Sequence, residues 1–411
     1  MFSRRKKVGI ALANGFEFYD VAVYSAISVY IGLNFFPESY FGAHSTLMIW
    51  MTFALRYLSR PLGGFIIGVY ADKYGRKSAL ILTSFLTGVA TLIMACLPSF
   101  YEIGLMAPCL FFLMQLIQAF AFGGENPTSV VYLMENTHKK DYAKTGALVW
   151  GGLSLIVALS LLIVYVLKTV FSPEQMQDFG WRIPIYLGVI NLVFGFWFRL
   201  RLIESSRFSP SSKIKVHMRS TFKIFLMAVP ACMLSYINSL FSSQMIRKFI
   251  SDPFLQDLLP ILMNISFFVT AVITGYFVDK YSSCTKLLNR TYAALVILSV
   301  PIYALQDQGH WFSLVLSQLC ITLLVSVSLA TSPFVFFNHI KGHNKATTFG
   351  VGYNFTVIIF GGSMPLMVNY LSQYGQAYVG LLLSFGGLCY FAALALDKYT
   401  QPASASVSTA S

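Results

Sequence analysis

Residues 60–77 read RPLGGFIIGVYADKYGRK, and they lie where one apolar run ends and the next begins. The stretch leaves its apolar segment through Gly63, Gly64 and Gly68. It closes on one acid and three bases, Asp72, Lys73, Arg76 and Lys77. Small residues let two helices approach closely, a glycine at 75 permits a left-handed turn, and bases beside an apolar run hold a loop on the cytoplasmic side of a membrane. The stretch therefore predicts a tight turn between two membrane helices.

The rest of the chain agrees. Of 411 residues, 56% are hydrophobic and 11% charged, whereas a soluble domain is roughly 25% charged. Apolar runs lie at about residues 8–36, 46–70, 78–98, 102–133, 146–170, 183–203, 222–241, 255–279, 286–305, 311–338, 346–372 and 376–396. Each reaches the roughly 20 residues a helix needs to cross the hydrocarbon, so an all-α membrane protein with twelve transmembrane helices is predicted. Arg4, Arg5, Lys6 and Lys7 followed by apolar residues suggest a secretory signal, but the apolar stretch before Ala13 is only about five residues, too short for a signal core. The first helix is therefore expected to remain in the mature protein.

The positive charges give an orientation. With both termini cytoplasmic, 23 of the 29 bases fall on inner segments and four on outer ones, Lys168, Arg182, Arg247 and Lys248. That asymmetry predicts cytoplasmic termini, and the net charge of +13 then reports orientation rather than nucleic-acid binding. The six cysteines are scattered through the apolar runs without CxxC spacing, which reads as small buried apolar residues rather than a metal or redox site. No HExxH or Walker-type pattern occurs. An enzyme, a cofactor and a metal site are not expected.

The chain also echoes itself. Gly68, Asp72, Lys73 and Tyr74 recur as Gly275, Asp279, Lys280 and Tyr281, about half the chain later. Two pseudo-symmetric six-helix halves follow, at 1–203 and 223–398, joined by a basic, serine-rich cytoplasmic linker at 204–222 and followed by a disordered tail at 399–411. The second copy lacks the glycine and bases that follow the first and reads SSCTK, so its loop is expected to be the weaker element.

Polar residues inside membrane runs are costly and mark functional candidates. Glu17 and Asp20 in the first run are three apart and share a face with Asn14; both lie near the midplane. Each is a candidate to carry a proton or to pair with Arg56 or Arg60. Those arginines lie four apart in the second run and read either as a clamp for a substrate carboxylate or as internal ion-pair partners of Glu17, Asp20 or Glu125, with the structural reading favoured for Arg60, which adjoins Pro61 and the loop. The fourth run carries Gly123, Gly124, Glu125, Asn126 and Pro127, a pattern expected to kink the helix and open its backbone to a cavity. Glu125 is a third buried acid, and Glu135 is expected at the cytoplasmic end beside a base. Tyr353 and Asn354 precede Gly361, Gly362 and Pro365 in a flexible, polar-lined run. Tyr19, Tyr24, Tyr236 and Tyr353 read either as packing or as cavity lining.

The spacing of Gly68, Asp72, Gly75, Arg76 and Lys77 resembles the loop between the second and third helices of the major facilitator superfamily. GFEFYD at 15–20, RPLGG at 60–64, GGE at 123–125, GWRIP at 180–184 and GYNFTVIIFGGSMP at 352–365 resemble markers of its metabolite:proton symporter branch. The matches cover nearly the whole chain. Phe18 stands where that branch usually has tryptophan, and Arg56 where it has a small residue, which makes Arg56 a candidate for substrate selection. The tail lacks the heptad pattern of osmosensing members.

The resemblance implies a proton-driven carrier of a small organic solute, such as an organic acid, an amino acid or a betaine, in a bacterial inner membrane. An exporter or exchanger of the same fold is the alternative. It implies alternating access, with proton coupling at Glu17, Asp20 or Glu125 and substrate binding at Arg56, Arg60, Tyr19, Tyr24, Asn126, Tyr236, Tyr353 or Asn354. The loop Gly68, Asp72, Gly75, Arg76 and Lys77 would act as the gate, with Asp72 on the N-terminus of the eleventh helix. The expected partners are the solute, protons and the lipid bilayer, with no nucleic acid, and the chain is expected to act as a monomer.

Overall fold

The computed structural model describes residues 15, 18–205, 208–210, 216–238, 250, 252–308 and 310–398. Glu17, the N-terminal bases, Arg247, Lys248 and the tail lie outside them. The described residues are helical throughout, without a strand. The first helix, α1, has two segments, Phe18–Ala26 and Ser28–Phe35, bent by 71°. The next, α2, runs as Ser45–Leu55, tightens to a 3-10 turn over Arg56–Ser59 and resumes as Arg60–Tyr74. Then follow α3 (Arg76–Cys96), α4 (Met106–Glu135), α5 (Tyr142–Val170), α6 (Arg182–Leu200), α7 (Met218–Tyr236), α8 (Pro253–Tyr281), α9 (Cys284–Ala304) and α10 (Trp311–Asn338). The eleventh, α11, is Lys345–Val357, a π-turn over Ile358–Gly362, and Met364–Ser372; α12 is Gln376–Lys398.

Among the described residues nine helices are long and apolar enough to cross a membrane, and ten when bent α1 counts as one span. The twelve apolar runs have their counterparts here, but α2 is divided by its 3-10 turn. The described part of α7 carries Arg219 and Lys223 in its first turns. Large apolar side chains such as Leu62, Ile66, Val193 and Phe194 are exposed on the outer faces, as a bundle solvated by lipid requires.

The two halves meet most extensively along two helix pairs, α2 with α11 and α5 with α8, with further contact of α5 with α10 and α4 with α11. Glycines set the first two contacts. A side chain on Gly64 would run into the Gly350 carbonyl at 2.7 Å, and one on Gly68 into the Cα of Thr347 at 2.7 Å. On the other pair, a side chain on Gly275 would meet the Ala143 carbonyl at 2.9 Å. Within the first half, Gly63 packs on the backbone of Phe120 and Gly123 on that of Arg60, which seats α2 against α4. α4 runs as one unbroken helix through Gly123, Gly124 and Pro127. Its glycines instead admit α2, with Gly124 under the Ile67 side chain.

The cysteines divide: Cys232 and Cys284 are buried, while Cys96 and Cys109 lie on the exposed surface. Where a bundle faces lipid, a small apolar residue gains nothing from the interior, which is why composition alone did not sort them.

Candidate functional site

The end of the bundle that carries the basic loops is closed by two carboxylates on two helix N-termini. Asp72, at the end of α2, accepts from the backbone N–H groups of Ala346 and Thr347 at 3.2 and 2.9 Å, and from the Thr347 hydroxyl at 2.6 Å. These are donors that the start of α11 cannot satisfy within itself, and the helix dipole there favours an anion. Arg76 donates at 2.6 Å to Asp72 Oδ1, the oxygen that also accepts from Ala346, and reaches Glu135 at 3.4 Å. All three charged groups are buried. Glu135 thus sits beside a base, as its position in the sequence predicts.

Gly75 turns the chain between α2 and α3 with φ +108. A side chain there would strike the carboxylate of Glu204, which accepts from the N–H groups of Arg76 and Lys77, each at 3.0 Å, and so caps α3. Lys77 contributes its backbone to this contact. Phe208 lies over the Arg76 guanidinium at 5.4 Å. The start of the linker is therefore folded onto the gate loop.

The second copy of the motif makes the same kind of contact. Asp279, at the end of α8, accepts from the N–H groups of Ala143 and Lys144 at the start of α5, at 2.9 and 2.8 Å. Ser283 stands where Arg76 stands in the first copy. Asp279 has no arginine of its own loop beside it, and it is half-exposed where Asp72 is buried. The echo is thus one contact used twice, with the first copy carrying the extra charge pair.

Glu125 faces Arg199 of α6. Arg199 donates to both carboxylate oxygens, and its Nη1 also reaches Ser84 and the Leu80 carbonyl of α3. Both side chains are almost fully buried. This fork-to-fork pair joins α3, α4 and α6 inside the first half. It takes Glu125 away from Arg56 and Arg60, and it takes Arg199 out of the loop bases among which the sequence counts it.

The two arginines of α2 diverge. Arg56, in the 3-10 turn, is buried and lies within electrostatic reach of Asp20 and Tyr24 of α1. Arg60, one turn on, is equally buried and held between two aromatic rings, Tyr57 at 4.5 Å and Phe122 at 4.4 Å. Its charge reaches across the interface to Cys232 and Tyr236 of α7 and Tyr353 of α11. Among the described residues no carboxylate pairs with Arg60, and its Nε has no hydrogen-bond partner. A buried cation without a counter-ion is expensive.

Beside it, Asn126, Trp150, Ser332, Phe336 and Tyr353 line a cleft between the halves. Tyr236 packs edge-on to Tyr57 at 6.2 Å and against Gly361 in the π-turn of α11. Asn354 does not line this cleft: its amide donates to the carbonyls of Gly123 and Gly350, each at 2.7 Å, and joins α11 to α4 where α2 crosses both. Tyr19 donates to the Pro184 carbonyl at 3.0 Å, and Tyr24 stacks near Phe111, both inside the first half.

Asp20 is half-buried; its Oδ2 accepts from Thr91 at 2.7 Å and Gln118 at 3.0 Å. Sequence reasoning did not single out Thr91, Gln118, Arg199, Glu204, Tyr57 or Phe122. For Glu204 a signal exists, since it is the one acid in the segment 204–222. For Tyr57 the partner, Arg60, is three residues on in the same helix; for the others the partners come from distant helices, and one sequence carries no trace of that.

A helical bundle in two halves, joined by glycine-lined helix pairs and latched at one end by paired carboxylates, defines a membrane transporter of the major facilitator superfamily. The chain belongs to the sugar (and other) transporter family, whose model matches residues 7–220. It is a solute transporter and not an enzyme. It is 28% identical over 384 residues to a putative proline/betaine transporter of Staphylococcus aureus, covering 90% of this chain and 82% of that protein. It is 30% identical over 388 residues to an alpha-ketoglutarate permease of Escherichia coli, covering 90% and 87%. Its fold matches the proton:xylose symporter XylE with a TM-score of 0.77 at 14% identity, over 96% of this chain and 95% of that one.

Proposed function

We propose that the protein takes up a small organic solute bearing a carboxylate by proton symport, through alternating access of a site between its halves. The observation that carries this reading is Arg60, a buried guanidinium facing the second half with no carboxylate partner among the described residues. A solute carboxylate supplies the missing charge bidentately. Tyr57, Phe122, Tyr236 and Tyr353 surround it, and Asn126 adds a polar group near the cleft.

The same rings favour a second reading of the solute's other end. Aromatic faces attract a quaternary ammonium, so a betaine fits as well as a dicarboxylate. The named relatives include a proline/betaine transporter and an alpha-ketoglutarate permease.

Asp20 carries the proton in this account, with Glu17, which lies outside the described residues, as the other candidate on α1. Glu125 is the weakest proton carrier of the three, because an arginine holds it on both oxygens. The excess of bases favours a cytoplasmic position for the latched end, the linker and both termini, and the bacterial relatives favour an inner membrane. The bound solute and proton release the latch, and the halves rock to expose the site inward.

The test is solute-dependent acidification of the lumen of proteoliposomes, read by an entrapped pH dye, as mono-, di- and tricarboxylates, amino acids and betaines are added. Acidification with one of these classes supports symport. Inward solute movement without acidification removes the proton, and acidification on solute efflux from loaded vesicles makes the chain an exporter.

A further inference from the structure

A second cleft lies inside the first half, and it shares no lining residue with the one between the halves. It follows α1 from Asp20 past Ile27 to Ile31, a span of about 16 Å at the helical rise, toward the end away from the basic loops. The 71° bend of α1 falls in its wall. Its floor is polar. Asp20 Oδ2 is held by Thr91 and Gln118, while Oδ1 makes no hydrogen bond among the described residues and lies beside Gly188, where a side chain would displace it.

Further along is Gln115, 2% exposed. Its amide nitrogen reaches only the sulfur of Met94, at 3.5 Å, and its oxygen has no partner among the described residues. A thioether is a weak acceptor, and a buried amide left this way is costly. The cleft beside it has room for a water molecule, which would supply both missing bonds. Beyond Gln115 the wall turns apolar. Phe111 stacks on Phe35 at 4.7 Å and Phe35 meets Trp181 edge-on at 5.7 Å, and all three rings are buried.

We propose that this cleft is a hydration site through which a proton reaches Asp20 from the end opposite the basic loops, by a route separate from that of the solute. It rests on the reading of Asp20 as proton carrier. The water beside Gln115 takes a proton from the outer side and passes one to Oδ1, which becomes the neutral acid; no other bond changes. The groups facing Asp20 are Tyr19 and Tyr24 of α1, Arg56 of α2, Thr91 of α3, Gln118 of α4 and the backbone of Gly188 of α6. Arg56 is the cation among them. The buried Phe35, Phe111 and Trp181 cluster beyond Gln115 keeps the solute out of the route.

The test follows the carboxyl stretch of Asp20, isolated by infrared difference against Asp20→Asn, after a pH jump outside proteoliposomes of the full chain. Met94→Phe, which fills the cleft, and Gln115→Leu, which removes its amide, slow protonation about tenfold or more, as loss of a relay partner in an apolar path predicts. Ser332→Trp, which fills the cleft between the halves, leaves that rate within about twofold. Slowing by Ser332→Trp alone overturns the separate route and leaves Asp20 as the carrier. A carboxyl band that does not change between about pH 4 and 9 removes Asp20 as the carrier, and the route falls with it. Hydroxyl-radical footprinting of the unmodified protein reads the water itself. Oxidation of Met94 above that of the fully buried Met227 and Met233 supports it, and equal protection of the three overturns it.

Discussion

Asp72 binds the start of α11 through both the N–H and the hydroxyl of Thr347, at 2.9 and 2.6 Å, so one side chain of the first half holds the second half in place. Arg76 closes on the same carboxylate from within its own loop. The latch therefore combines an anion on a helix N-terminus with a buried ion pair.

Asp72→Asn keeps the shape but loses the charge that both Arg76 and the α11 dipole require. Each charge-assisted bond contributes about 1.5–3 kcal/mol, so the closed state weakens by at least about tenfold. Spin-label distances between the basic ends of α2 and α11 are expected to lengthen and uptake to fall, while the protein elutes as the wild type does. Asp279→Asn, which gives up no arginine partner, shifts the same distances less. Wild-type uptake in Asp72→Asn would remove the latch from the mechanism.

Gly63 and Gly68 lie five residues apart in α2 but act on different partners. Gly63 touches α4 of its own half and Gly68 touches α11 of the other; under the proposed alternating access the first contact would persist and the second would break when the basic end opens. Gly63→Val is expected to overpack the half by about 1–3 kcal/mol and lower the melting temperature. Gly68→Val is expected to leave the melting temperature near wild type and favour the open basic end. Thermal melts and the same spin-label distances separate the two.

Glu125 and Arg199 are a buried pair, so removing one member strands the other. Glu125→Ala is expected to destabilise the protein by about 3–5 kcal/mol, and the double change Glu125→Leu with Arg199→Met to recover most of that loss. Melting curves in detergent report both. A Glu125→Gln variant that keeps full stability yet loses proton movement would assign Glu125 a coupling role instead.

The stretch at 60–77 was readable because it puts several constraints in one local pattern: glycines for close approach, an acid for a helix end, and bases for sidedness. Its echo at Asp279 was readable for the same reason. Helix limits also followed the apolar runs closely, since lipid leaves little freedom in where a helix must be apolar. What a single sequence did not yield are pairings made across the bundle. Glu125 with Arg199 joins residues on separate helices, and the choice among Arg199, Arg56 and Arg60 depends on packing angles. The Gly-Gly-Pro of α4 reads locally as a break, but the backbone of α2 fills the space and the helix runs on. Arg56 and Arg60, one turn apart, share a face on an ideal helix; the 3-10 turn at Arg56–Ser59 sends them to different surroundings.

The central claim is that Arg60 receives the carboxylate of the solute. The most direct measurement is uptake into proteoliposomes under an inward proton gradient, across the carboxylate and betaine panel, for the wild type, Arg60→Lys and Arg60→Gln. The account predicts that Arg60→Gln loses uptake by about a hundredfold or more, as removal of a buried charge-assisted pair implies. Arg60→Lys, which keeps the charge without the planar fork, retains a fraction. Uptake of a carboxylate by Arg60→Gln with wild-type KM and rate would contradict it.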